Sequence, residues 1–137
     1  MNIDLTKLHN FLTDEVDLSN TYNIPKEYIY DDNVIEANNI IVNGRIILKD
    51  SKDYIECNIQ GKITMEDSIS LEPIYLEINI DYNDFLDDYY KKNENTLDIF
   101  QFLWENIVLE VPTYFTEVKD LSKIHGDGWR LIREEDL

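Results

Sequence analysis

Two neighbouring stretches alternate strictly between polar and apolar residues. In Tyr54–Met65, Tyr54, Glu56, Asn58, Gln60 and Lys62 interleave with Ile55, Cys57, Ile59, Gly61 and Ile63. In Pro73–Tyr82, Ile74, Leu76, Ile78 and Ile80 interleave with Tyr75, Glu77, Asn79 and Asp81. Successive side chains of a strand leave on opposite faces, so a period of two means one wet face and one buried face. Two such segments in succession predict an antiparallel sheet with one solvated side. Pro73 fits the first position of its strand, where a missing N–H is tolerated. Cys57 falls on the inward row and reads as a small buried apolar residue. Nothing near it in sequence would activate a thiolate.

Upstream, Ile40–Leu48 reads IIVNGRIIL. Its Asn43-Gly44 pair suits a type I′ hairpin turn, or a bulge or close backbone crossing within one long strand. The second reading is favoured, because the clearer turn, KDSKD, follows at once. The buried face needs a cover, and the segment LDIFQFLWENIVL, residues 97–109, supplies a helix. Phe100, Leu103, Trp104, Ile107, Val108 and Val111 recur at helical spacing, a stripe broad enough to pack on a sheet. Thr96 is the expected N-cap, Asp98 belongs to the first turn, and Pro112 closes the helix. The expected fold is α+β, a mainly antiparallel sheet over residues 39–82 packed against one principal helix in the C-terminal half.

The remaining segments are less regular. IDLTKLHNFL near the start fits a short helix or an extended entry, Val16 a brief strand, and Pro25 the start of one helical turn. Residues 19–33 and 84–95 are polar and expected to be mobile. Trp129 and Leu131 are expected to pin the tail, and the terminal EEDL to fray.

With 137 residues, 43% of them hydrophobic, the chain suits a single domain over 1–137 with its own core. Its 29 acidic residues outnumber 12 basic ones, for a formal charge of −17. That field opposes capture of phosphate backbones, with Arg130 and Arg133 a thin local exception. It suits a basic protein partner and disfavours anionic membranes. One cysteine and the absence of a leader-like or spanning apolar run point to a cytoplasmic protein. No catalytic pattern emerges. Gly126-Asp127-Gly128 lacks the features of a phosphate loop, residues 84–95 lack the calcium-loop spacing, and His125 reads as a solvated or capping residue. No catalytic residue, metal or cofactor is expected.

The order of the pieces resembles the YceD-like family (DUF177), the large ribosomal RNA subunit accumulation proteins, in its short Gram-positive and mollicute branch. The likeness runs over residues 10–136. It rests on the strand containing Asn43-Gly44-Arg45, the strand pair joined at EDSISLEPI, the helix end Leu109-Glu110-Val111-Pro112, and Gly126 and Trp129 followed by acids. Relatives often carry Cys-x-Arg-Cys-Leu where this chain has Asp67-Ser68-Ile69-Ser70-Leu71, so neither cysteine is present and only Leu71 is kept. One Cys and two His in the whole chain cannot build a usual four-ligand zinc site there.

The resemblance implies a non-enzymatic role in large-subunit biogenesis and 23S rRNA accumulation. Relatives are commonly encoded beside ribosomal protein L32. With the acidic excess, this makes a basic ribosomal or assembly protein, L32-like, or a pre-50S particle the expected partner, with 23S rRNA contacted locally or indirectly. The alternative is a general acidic protein-interaction or chaperone-like module unrelated to rRNA. The candidate interaction residues are Ser68, Ser70, Leu71, Tyr75, Glu77 and Asp81, on the central turn and a strand edge that a basic peptide would join, with Trp129 and Arg130. Cys57, Phe100, Leu103, Trp104, Ile107, Val108 and Pro112 are expected to be structural.

Overall fold

The structure is a computed structural model that describes residues 1–31, 33–67, 72–111, 125–126 and 129–133, the last two segments as backbone. Among the described residues, ten strands and two α-helices follow one another as β1 (Asn2–Asp4), α1 (Thr6–His9), β2 (Glu15–Asp17), β3 (Asn20–Ile24), β4 (Val34–Lys49), β5 (Lys52–Glu66), β6 (Pro73–Phe85), β7 (Lys91–Asn93), β8 (Thr96–Asp98), α2 (Ile99–Val108), β9 (His125–Gly126) and β10 (Trp129–Arg133). Single 3-10 turns at Lys26–Tyr28 and Asp88–Tyr90 punctuate the two polar segments. The first of these follows Pro25, whose carbonyl accepts from Tyr28 N at 3.0 Å. No helix among the described residues is long and apolar enough to cross a membrane.

Three long antiparallel strands, β4, β5 and β6, form the body of a seven-stranded sheet ordered β2-β4-β5-β6-β10-β9, with β3 also on β4. The β4–β5 connection has two residues, Asp50 and Ser51, with φ of 52° and 62°, between the paired Lys49 and Lys52. Positive φ at both positions is what a type I′ turn requires, because its twist matches that of the flanking strands. Asn43-Gly44, in contrast, lies inside β4 and opposite Asn58-Cys57, as the second reading expected. The backbones come close there. A Cβ on Gly44 would lie 2.1 Å from the Glu56 carbonyl oxygen and 2.4 Å from the Cys57 Cβ. On the other side of β4, β2 and β3 form one interrupted edge strand. At the break, Leu18 N donates to Gly44 O at 2.9 Å and Gly44 N donates to the Ser19 hydroxyl at 3.1 Å.

The inward rows of the sheet carry Ile46, Val42 and Ile40 from β4, Ile55, Ile59, Ile63 and Met65 from β5, and Ile74, Leu76 and Ile78 from β6, all buried. Cys57 is buried among them, as its place in the alternation requires. A three-stranded sheet, β1-β8-β7, holds the entry to α2.

The expected cap of α2 is corrected here. Asp98, not Thr96, is the N-cap, its carboxylate accepting from Gln101 N at 3.3 Å and from the Tyr28 hydroxyl at 2.8 Å. Thr96 and Leu97 are held extended by pairing with Asp4 and Ile3 of β1, so the helix starts two residues later than its apolar pattern.

The apolar stripe is also wider than expected. Leu103, Trp104 and Ile107 are fully buried, but so are Ile99 and Phe102, whereas Phe100 and Val108 are half-buried. The helix is covered on its flanks as well as by the sheet. Tyr82 and Tyr90 meet Phe102 edge-on with ring centroids 5.0 and 5.3 Å apart, and Tyr28 and Tyr22 meet Phe100 at 5.6 and 6.4 Å. Such pairs are each worth about 0.5–1.5 kcal/mol beyond their buried area. Pro112 lies outside the described residues.

Two substitutions test the ladder. Gly44→Ala should lower unfolding free energy by about 1–3 kcal/mol through forced separation of β4 from β5. Ser51→Gly should raise it by about 0.5 kcal/mol, relief of left-handed strain being partly offset by glycine's greater chain entropy. Denaturant titration of both variants reads the two changes, and a stable Gly44→Ala protein would show that the crossing is not tight.

Candidate functional site

The central turn and its strand separate into parts. Ser68, Ser70 and Leu71 lie outside the described residues; at the base of the turn, Asp67 N donates to Glu72 O at 2.9 Å. Tyr75 and Glu77 stand in β6 opposite Thr64 and Lys62 of β5. Their other side is taken by β10, with Ile132 opposite Tyr75 and Arg130 opposite Glu77. This corrects the expectation of a free strand edge at Tyr75 and Glu77: the tail that was expected only to pin the body fills the edge as a strand. Trp129 begins that strand opposite Ile78, and His125 and Gly126 pair with Arg130 and Trp129. Asp81 lies beyond the reach of β10. Its carboxylate accepts from the Asn58 amide at 2.9 Å on the outer face, and Asn79 accepts from the same amide at 2.7 Å.

At the other end of β6 the fold assembles a group that sequence order hides. An open cavity of about 670 Å³ is bordered by His9, Phe11, Asp53, Phe85, Asp88 and Lys91. Asp53, at the start of β5, has a side chain only 3% exposed and is flanked by two cations. His9 Nε2, from α1, lies 2.7 Å from Oδ1, and Lys91 Nζ, from β7, lies 2.5 Å from Oδ2. The Asp53 carbonyl accepts from Leu86 N at 2.9 Å. Behind His9, Nδ1 lies 2.6 Å from Asn95 Oδ1. Both ring nitrogens face oxygen acceptors, an amide oxygen on one side and a carboxylate on the other, an arrangement that favours the protonated ring. Burial alone pulls the His9 pKa down; the hydrogen bonds to Asn95 and Asp53 outweigh this and hold it above the usual histidine value. No ring nitrogen is left as a base toward the cavity, so the geometry is that of a clamp between α1, β5 and β7.

Phe11 stands on the rim of this cavity with φ of 59°, and it is 83% exposed. It occupies the position after the cap of α1. Phe11 N donates to Leu8 O at 3.1 Å and Leu12 N to Lys7 O at 2.9 Å, the bond pair of a Schellman ending. That left-handed position is normally filled by glycine.

Cys57 is removed from chemistry by burial, which, with the Asp81 charge adding to it, pushes its thiol up to about 12. Among the described residues, no group of three or more His, Cys, Asp or Glu could hold a metal ion.

His9, Asp53, Lys91 and Asn95 were missed in the sequence because their contacts join residues 38 to 86 positions apart. The one local signal was Phe11-Leu12, two large apolar residues at the end of a short helical pattern, both strongly exposed. Comparison with protein-family models, with curated proteins and with solved structures finds no match to this chain.

The clamp makes stability depend on pH with a definite sign. Because the folded-state pKa of His9 lies above its unfolded value, its contribution is fully present below about pH 6.5 and is lost as pH rises through the folded pKa. Denaturant unfolding across pH 5–9 should show the difference between the wild type and His9→Gln shrinking as pH rises. A constant difference would mean that His9 is neutral in the clamp.

Proposed function

We propose that this protein works by binding rather than catalysis, as a cytoplasmic factor in large ribosomal subunit biogenesis that captures a basic ribosomal or assembly protein. The observation that carries the reading is where the charge lies. Of the described acidic residues only Asp53, Asp67 and Asp98 are buried, and Asp53 is paired with His9 and Lys91. Most of the described carboxylates on this chain of formal charge −17 therefore reach solvent. A surface of that kind accelerates encounter with a cationic protein and repels RNA, so contact with 23S rRNA would be made through the bound protein. The order of motifs that resembles the YceD-like family supports the ribosomal assignment, and an L32-like protein is the first candidate partner.

Affinity purification of the tagged protein from its own cells, divided and treated with or without ribonuclease, tests this. Mass spectrometry should find a basic large-subunit protein in both halves, enriched over an acidic control protein of similar charge density. Recovery that disappears with ribonuclease would point to RNA-led binding. Absence of any ribosomal component would leave a general interaction module as the better reading.

A further inference from the structure

Strand β6 changes character at Ile78. Up to that residue it lies between β5 and β10. From Asn79 to Phe85 it pairs with β5, and no other described strand lies along it. The bond from Leu86 N to Asp53 O sets the phase of the ladder. Alternate residues of an antiparallel strand direct their N–H and C=O groups to opposite sides, so those of Asn79, Asp81 and Asn83 point away from β5. The side chains of these three residues and Phe85 are exposed. At Phe85 the N–H is taken by the Asp84 carboxylate at 2.7 Å, so among the described residues Asn79–Asn83, five residues and about 14 Å long, is the edge that another strand can join. Proteins usually blunt such edges with charged side chains, lysine above all, with proline or with a bulge; here the charges are all acidic, Asp81 and Asp84, which disfavour an acidic strand and suit a basic one.

Beyond Asn83 the strand runs on to the cavity at Phe85. Phe11 and Phe85 border that cavity together with Asp87, Asp88 and Glu94. Phe11 is kept there, highly exposed, in a backbone conformation that strains a bulky side chain. Strain of this kind is retained where the side chain is needed outside the fold's own packing.

We propose that the Asn79–Asn83 edge and the cavity beyond it take up an extended basic peptide segment of a partner protein as an added strand. Alternate lysine or arginine side chains run along the row of Asn79, Asp81 and Asn83. The side chain at the cavity end lies against Phe11 and Phe85, where an arginine stacks on the rings beside the Asp87 and Asp88 carboxylates. Charge selects this occupant. A second copy of a chain carrying −17 is repelled from the edge, as is a nucleic acid. The inference rests on the binding reading above and gives that reading its site.

The probe is a fluorescein-labelled Arg-Val-Arg-Val-Arg-Val peptide, titrated with the full chain by fluorescence anisotropy at two salt concentrations. Amide exchange is followed in parallel. Binding should weaken with salt and protect amides within residues 79–83. Affinity should fall at least tenfold for Asp81→Lys, for Phe11→Gly, and for a peptide N-methylated at alternate residues. Phe11→Gly should melt no lower than the wild type, which separates lost contact from lost structure. No binding, protection elsewhere, or equal affinity for the N-methylated peptide or for both variants overturns the proposal. If the peptide binds at this edge but no ribosomal protein is recovered from cells, the site stands and the ribosomal reading falls. If a ribosomal protein is recovered equally well by Asp81→Lys and Phe11→Gly, the site falls alone.

Discussion

The register of the β4–β5–β6 ladder is the constraint on which the rest of this structure depends. Side chains alternate with a period of two, so a slip of one residue would turn every inward isoleucine to solvent and every outward carboxylate into the core. The Asp50-Ser51 turn sets that register between β4 and β5, with Lys49 opposite Lys52. Gly44 lets the two backbones stay close where a side chain would part them. Further along, the register shifts between Glu36 and Ile41, where Asn39 has φ of 56°. Gly61 sits close by, and a Cβ on it would lie 2.8 Å from the Ile40 side chain. The long strands can therefore bend and twist without losing the separation of their two faces.

Given that sheet, α2 has little freedom. Its apolar residues run more than halfway round, and the fold meets them with tyrosines from three other segments. Tyr22 and Tyr28 lie on one flank, Tyr30 against Trp104, and Tyr82 and Tyr90 on Phe102. The polar ends of these rings are also used. The Tyr28 hydroxyl donates to the cap residue Asp98, and the Tyr22 hydroxyl to Leu18 O at 2.9 Å. The helix start, the 3-10 turn after Pro25 and the interrupted edge strand thus share one set of contacts, which is how polar segments that read as loops acquire defined places.

Charge is divided in the same way. Most carboxylates remain in water, where pairs such as Arg45 with Glu15 and Glu56 add little stability. Of the three buried ones, Asp53 lies between His9 and Lys91 at the end of the sheet nearest Phe11 and Phe85. Removing both partners would strand a buried charge, which typically costs about 3–5 kcal/mol. The cluster therefore ties α1 and β7 to the sheet and fixes the floor of the cavity, while the surrounding surface keeps its negative potential.

The sequence alone determined what depends on neighbours along the chain. The alternations around Cys57 and Ile78 specified the sheet and its two faces. The passage of one strand through Asn43-Gly44 was legible because a better turn followed it, and Leu103, Trp104 and Ile107 marked the helix face.

Tertiary structure decided what depends on distant partners. Thr96 lost the cap to Asp98 because β1 holds it extended. Phe102 became core because Tyr82 and Tyr90 reach it. The edge at Tyr75 and Glu77 was closed by a strand more than fifty positions further along the chain, and among the described residues the edge at Asn79–Asn83 was left without one. Local patterns record which face of an element is apolar. They carry no record of which element will cover it, because that choice is made by packing and hydrogen bonding across the whole chain.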